Sequence, residues 1–203
     1  MVKSQILPNN VKNKNLIDAI TSIKKELFIS REYYDIAYSD ADIFISNHRN
    51  LIRTFVMAKM FENCNFEKDE SILVIGCLTG YSIAILSNLV GYVFGIENDK
   101  EIVNIATKNL NNLNILNCSV AFKKDLSTGL TKNSPYDKIF IEGAVKSIPD
   151  SLVKQLKDSG EIFTVVSNED YIGDFVRGIK INSRISIEKL FNTNIGNIKD
   201  FMI

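Results

Sequence analysis

Ser71-Ile72-Leu73-Val74-Ile75-Gly76-Cys77-Leu78-Thr79-Gly80-Tyr81-Ser82 decides the fold of this chain. Ile72 to Ile75 run without a polar break between Glu70 and Gly76. A strand buried on both faces has that pattern, because neither side of it meets water. The glycines at 76 and 80 bound a tight turn. The first permits a sharp reversal without a Cβ clash, and the second lets a helix start close to the strand. That helix is predicted over 81–90, closed by Gly91. Its N-terminal N–H groups would face a polar or anionic ligand. A Gly-x-x-x-Gly turn also occurs as a tight turn and nothing more, so its surroundings have to decide.

Downstream, strand and helix alternate. A second strand, Tyr92 to Ile96, ends at Glu97, and Asp99 is placed to cap a helix running to about Leu113. Cys118 to Phe122 and Lys138 to Ile141 read as the third and fourth strands. Pro149 is placed at the first position of a helix, Gly160 follows it, and Glu161 to Val166 is a fifth strand. Ile179-Lys180-Ile181 and Ser183 to Ile187 alternate with period two, as an antiparallel pair does. The fold class is therefore α/β, Rossmann-like: a parallel sheet with helices on both faces and a C-terminal antiparallel hairpin. Residues 1–70 have a different rhythm, with helical spacing in Leu16, Ile17, Ile20, Ile23 and Leu27 and again from Leu51 to Phe61. They read as a helical N-terminal cap on a domain of residues 71–203.

In an open parallel sheet the ligand lies beyond the carboxyl ends of the strands, where the strand order reverses. Glu97 comes 21 positions after Gly76, at the end of a strand. A carboxylate there can accept two hydrogen bonds from a ribose diol. Asp125, just after the third strand, is placed to reach the exocyclic amine of an adenine. Together these residues point to a nucleoside-bearing ligand. Other chemistries lack their residues. There is no Gly-x-x-x-x-Gly-Lys-Ser/Thr loop. His48 is the only histidine, and no Ser or Cys sits in a nucleophile elbow. No His/Cys cluster points to a metal.

The 203 residues carry 24 basic and 24 acidic side chains, so net charge is zero, which argues against a nucleic-acid partner held by phosphate neutralisation. Cys64, Cys77 and Cys118 have no metal spacing and suit reduced thiols in a cytoplasm. The start lacks a secretory apolar region, and no segment has the roughly 20 apolar residues that span a bilayer.

The glycine turn and its surroundings resemble the S-adenosylmethionine-dependent methyltransferases. More narrowly, the chain is similar to the protein-L-isoaspartate (D-aspartate) O-methyltransferase family. The resemblance is carried by Gln5-Ile6, Leu16 to Ile20, Phe28 to Glu32, Ala37 to Asp40, Ser134 to Ile139, Ile148-Pro149 and Gln155 to Lys157. It implies a seven-stranded methyltransferase sheet with S-adenosylmethionine as cofactor and an isoaspartyl protein or peptide as substrate. Carried across by position, the cofactor loop falls on Gly76, Cys77, Leu78, Thr79, Gly80 and Tyr81. The ribose-binding acid and its neighbour fall on Glu97 and Asn98, and the adenine side on Asp125 and Leu126.

Three departures stand out. Leu78 replaces the middle glycine of Gly-x-Gly-x-Gly, and Val74 replaces an acidic residue two positions before the first glycine. Aligned without gaps from Ala37-Tyr38 to Ala58-Lys59-Met60, the family's Thr-Ile-Ser falls on Asn50-Leu51-Ile52. Its active-site serine is thus Ile52, the proline two further on is Thr54, and the nearest hydroxyls are Ser46 and Thr54. Two alternatives follow: a methyltransferase-fold binding module with weakened or no activity, and a methyltransferase with another acceptor. A nucleic-acid acceptor is disfavoured by the neutral charge and by the missing Asn/Asp-Pro-Pro-aromatic motif.

Overall fold

The computed structural model describes residues 1–46, 49–167, 172–198 and 201. His48 lies outside them. The strand over the deciding stretch, β3 (Ser71–Ile75), is flanked by β4 (Tyr92–Glu97) and β6 (Tyr136–Val145), both parallel to it. β5 (Cys118–Phe122) continues the sheet beyond β4, and β7 (Leu156–Val166) lies beyond β6. β8 (Gly173–Ile181) and β9 (Arg184–Thr193) add two antiparallel pairings, giving the order β5-β4-β3-β6-β7-β8-β9. The order reverses at β3, since the chain builds outward to β5 on one side and then restarts on the other.

Alternate residues of the apolar run enter two different cores. Ile72 and Val74 join the larger cluster, while Leu73 and Ile75 join a second one on the opposite face. Both faces are covered, which is why the run has no polar residue. Helices α3 (Tyr81–Leu86) and α4 (Lys100–Asn112) contribute to the larger core, as do α1 (Lys14–Ser22) and α2 (Thr54–Glu62) of the N-terminal region. On the other face lie α5 (Asp150–Val153) and the turn at Leu126–Thr128. An aromatic row crosses the first face: Phe140 stacks on Phe163 with centroids 5.0 Å apart, Phe163 on Phe175, and Phe61 of α2 meets Phe140 edge-on. Burying one such ring is worth about 1.5–3 kcal/mol, so α2 is fastened to the sheet.

Asp99 caps α4 as its sequence suggests, accepting from the N–H groups of Glu101 and Ile102. Four expectations need correction. The helix after the turn ends at Leu86 rather than at Val90, because Ser87 Oγ and Asn88 Nδ2 both donate to the Ala84 carbonyl and compete with the helix ladder. Pro149 has an extended ψ of 140° and stands before a four-residue helix, not inside it. Gly160 lies within β7, in a bulge where the register jumps from Tyr136–Leu156 to Lys138–Glu161. Residues 1–70 are not wholly helical: β1 (Ile43–Ser46) and β2 (Arg49–Leu51) pair antiparallel, α1 stops at Ser22, and Leu27 is exposed.

Candidate functional site

The carboxyl ends of β3, β4 and β6 meet at the glycine turn. Gly76 has φ +72° and Gly80 has φ +90°, so both glycines use a backbone that side chains disfavour. Between them Leu78 adopts φ +47°, the left-handed region, with a full side chain. Glu97 explains the bend. Its carboxylate turns inward and is 1% exposed. One oxygen accepts from the Leu78 N–H at 2.9 Å and the other from the Asn98 N–H at 2.8 Å. A carboxylate has about four acceptor positions, and these two N–H groups use two of them.

Leu78 thus carries backbone strain in exchange for a buried side chain within the larger core. Left-handed backbone costs a non-glycine about 1–2 kcal/mol, whereas truncating a buried leucine costs roughly 3–5 kcal/mol. Leu78→Gly is therefore expected to lower stability by about 1–4 kcal/mol in a urea titration. A gain in stability would mean that strain outweighs packing at this turn.

The other predicted residues divide in two. Cys77 packs its sulfur towards Gly95 inside the core, and burial pushes its thiol up. The Thr79 hydroxyl donates to the Phe28 carbonyl at 2.7 Å, tying the N-terminal region to the turn. The Tyr81 ring packs on Phe28 with centroids 5.4 Å apart. These three side chains serve the framework and leave only their backbone to a ligand. Asp125 stands at the carboxyl side of β5, half-buried, with one oxygen accepting from both Ser127 N–H (3.0 Å) and Ser127 Oγ (2.6 Å). Leu126 is buried in the second core.

Two charged residues that sequence reasoning passed over complete the site. Arg49, from β2, donates from Nη2 to the carbonyls of Gly76 (2.8 Å) and Glu142 (3.3 Å). Its Nη1 lies 3.7 Å from Glu97 Oε1. Glu142 follows the apolar run of β6 and is itself buried. Burial pushes its carboxyl up to about 7, with the Ser82 hydroxyl and Arg49 pulling it down and Glu97 adding to the rise. The sequence did hold a signal for Glu142, a carboxylate at the carboxyl end of a parallel strand, which is the rule that singled out Glu97. Arg49 gave none, since its strand precedes the alternating pattern.

Ile52 lines a narrow cleft with Arg49, Asn50, Arg53, Glu142 and Gly143. The free space there is about 10 Å³, at the lower bound of what a single water needs. Among the described residues that line it, neither Ser46 nor Thr54 appears and none carries a hydroxyl. The Thr54 hydroxyl is instead buried at the start of α2.

This arrangement has relatives. The family model described as protein-L-isoaspartate (D-aspartate) O-methyltransferase matches residues 1–194. A Dictyoglomus turgidum protein-L-isoaspartate O-methyltransferase is 33% identical over 169 residues, 82% of this chain and 76% of its own. The chain belongs to the protein-L-isoaspartate (D-aspartate) O-methyltransferase family. A Methanococcus maripaludis member is 30% identical over 193 residues, covering 94% of this chain and 90% of its own. Among solved structures, one protein-L-isoaspartate O-methyltransferase superposes with a TM-score of 0.86 at 22% identity, covering 99% of this chain and 67% of that one. A Plasmodium falciparum protein described as a family member, solved with S-adenosyl-L-homocysteine, gives 0.80 at 19% identity, with 96% and 94% covered. The seven-stranded α/β methyltransferase sheet is thus the family's fold. Among the described residues no helix is long and apolar enough to cross a membrane, and no cluster of His, Cys, Asp and Glu could hold a metal.

Proposed function

We propose that this chain is an S-adenosylmethionine-dependent O-methyltransferase that methylates the carboxylate of isoaspartyl residues in damaged protein. The inward-turned, buried Glu97 beside the glycine turn carries this reading. The residues fit the adenosyl half of the cofactor by their chemistry: Glu97 would accept from the ribose, Asn98 adjoins it, and Asp125, with the backbone of Leu126, would hold the adenine. Gly76 to Tyr81 would contribute backbone. When bound, the cofactor supplies a methyl group on a positively charged sulfur.

The protein's own work is placement. An acceptor carboxylate with a pKa near 4 is already ionised at neutral pH, so no base is needed, and the described site offers no histidine to act as one. Alignment of the two reactants can be worth about 7–11 kcal/mol of barrier. Residues 1–70 form the acceptor side and residues 71–203 the cofactor side. Three free cysteines suit a reducing compartment such as a cytoplasm.

Ile52 cannot orient the acceptor by hydrogen bonding. Restoring the hydroxyl with Ile52→Ser is expected to raise kcat/KM for an isoaspartyl peptide by roughly 10²-fold, the scale of one positioned donor. Radiolabelled methyl transfer, with the normal aspartyl peptide as control, reads this out. The deciding test of the reading itself is calorimetric binding of S-adenosylhomocysteine, and absence of any binding would remove it. Ile52 and the closed cleft also favour a second reading, a module that binds the cofactor without turnover. Methylation by the wild type would exclude it.

A further inference from the structure

The glycine turn opens a cradle, and the chain fills that cradle itself. Carbonyls from two strands, Gly76 after β3 and Glu142 in β6, converge on one guanidinium nitrogen of Arg49. A Cβ on Gly76 would stand 2.8 Å from Arg49 Nη2 and 3.1 Å from Ile198 Cδ1, and one on Gly143 would stand 2.4 Å from Ile198 Cγ1. The room those glycines leave is therefore taken by Arg49 and Ile198. The Ile198 segment is held by the end of β6: Ala144 N–H donates to the Gly196 carbonyl (2.9 Å) and Ile198 N–H to the Ala144 carbonyl (3.2 Å). The family match ends at residue 194, before this segment.

Two carbonyls with a carboxylate beside them form a site for a cation. A methionine-derived sulfonium donor brings two cationic groups, its ammonium and its sulfur. We propose that Arg49 is an internal occupant of the donor's cation subsite, so that the donor enters only when Arg49 withdraws. This rests on the cofactor reading above. Withdrawal is a local event. Arg49 belongs to a three-residue strand whose pairing with β1 is anchored by the buried Ile43 and Leu51, so the strand can stay while rotation of the side chain alone releases the two carbonyls and the ion pair. Its side chain is 12% exposed and so borders on solvent. If the withdrawn form is a minor state of 0.1–10%, the apparent dissociation constant is raised by the inverse of that fraction, about tenfold or more.

Titration calorimetry of the full chain with S-adenosylhomocysteine tests this, using wild type, Arg49→Ala and the more nearly isosteric Arg49→Gln. Both variants are expected to bind about tenfold more tightly or better. Millimolar methylguanidinium should refill the cradle of Arg49→Ala and weaken its binding again, while leaving wild type unchanged. Thermal midpoints without ligand check that each variant is folded. If wild type binds and neither folded variant binds more tightly, Arg49 supports the turn rather than blocking it, and only this proposal falls. If no protein binds, the cofactor reading falls and takes the proposal with it.

Discussion

Glu97→Ala is expected to unfold at markedly lower denaturant, having lost about 3–5 kcal/mol of stability, and to bind the adenosyl cofactor at least 100-fold more weakly. The stability loss has two sources. The N–H groups of Leu78 and Asn98 lose their acceptor, and an orphaned buried donor costs about 1–3 kcal/mol. Arg49 also loses a countercharge 3.7 Å away while its own side chain stays 12% exposed. Breaking one partner from such a pair is far more damaging than never having built it. The affinity loss has a separate cause, since hydrogen bonds to a charged group are worth roughly 1.5–3 kcal/mol each and a ribose diol makes two. Glu97→Gln separates the effects. It keeps an acceptor for Leu78, so most stability should survive, while an amide cannot receive both hydroxyls. Urea titrations give the first quantity and calorimetry the second. Wild-type stability in Glu97→Ala would show that the carboxylate does not hold the turn.

The sheet was legible because its physics is local. Ile72 to Ile75 alternate between two cores, so the run is apolar throughout, and glycines mark where it reverses. Glu97 stood out by its place at a strand end, 21 positions after Gly76, and it does turn inward beside the glycine turn. What escaped depends on distant contacts. Gln155 to Lys157 read as the end of a helix followed by Gly160, yet Leu156 onward is strand, with a bulge before the pairing resumes at Glu161. Arg49 reaches Glu142 across 93 positions of chain, and no spacing rule spans that distance. Thr79 and Tyr81 lie at the glycine turn, but their side chains answer to Phe28, 51 positions away from Thr79. Leu78 shows the reverse: the sequence flagged a missing glycine, and the backbone does adopt the left-handed bend a glycine would favour.

The charges at the cradle make stability depend on pH through Glu142. An ordinary glutamate titrates near 4.5, and burial pushes Glu142 up to about 7. Below 4.5 the folded and unfolded chains both carry the proton, and the group contributes nothing to pH dependence. Between 4.5 and 7 the folded chain keeps the proton and the unfolded chain releases it. The native state then binds more protons, so stability falls as pH rises through this window. Above 7 both forms are ionised and the whole penalty stands, about 3 kcal/mol. Glu142→Gln cannot ionise. It should match wild type near pH 4 and exceed it by up to about 3 kcal/mol at pH 8, less whatever attraction Arg49 forfeits. Taking the difference between the two proteins cancels every other titrating group, so urea midpoints at the two pH values suffice. Greater wild-type stability at pH 8 would mean that the pull of Arg49 exceeds the cost of burying the charge. The raised value of Glu142 sets the expected sign, because a carboxyl that gained more from Arg49 than it lost to burial would titrate below 4.5.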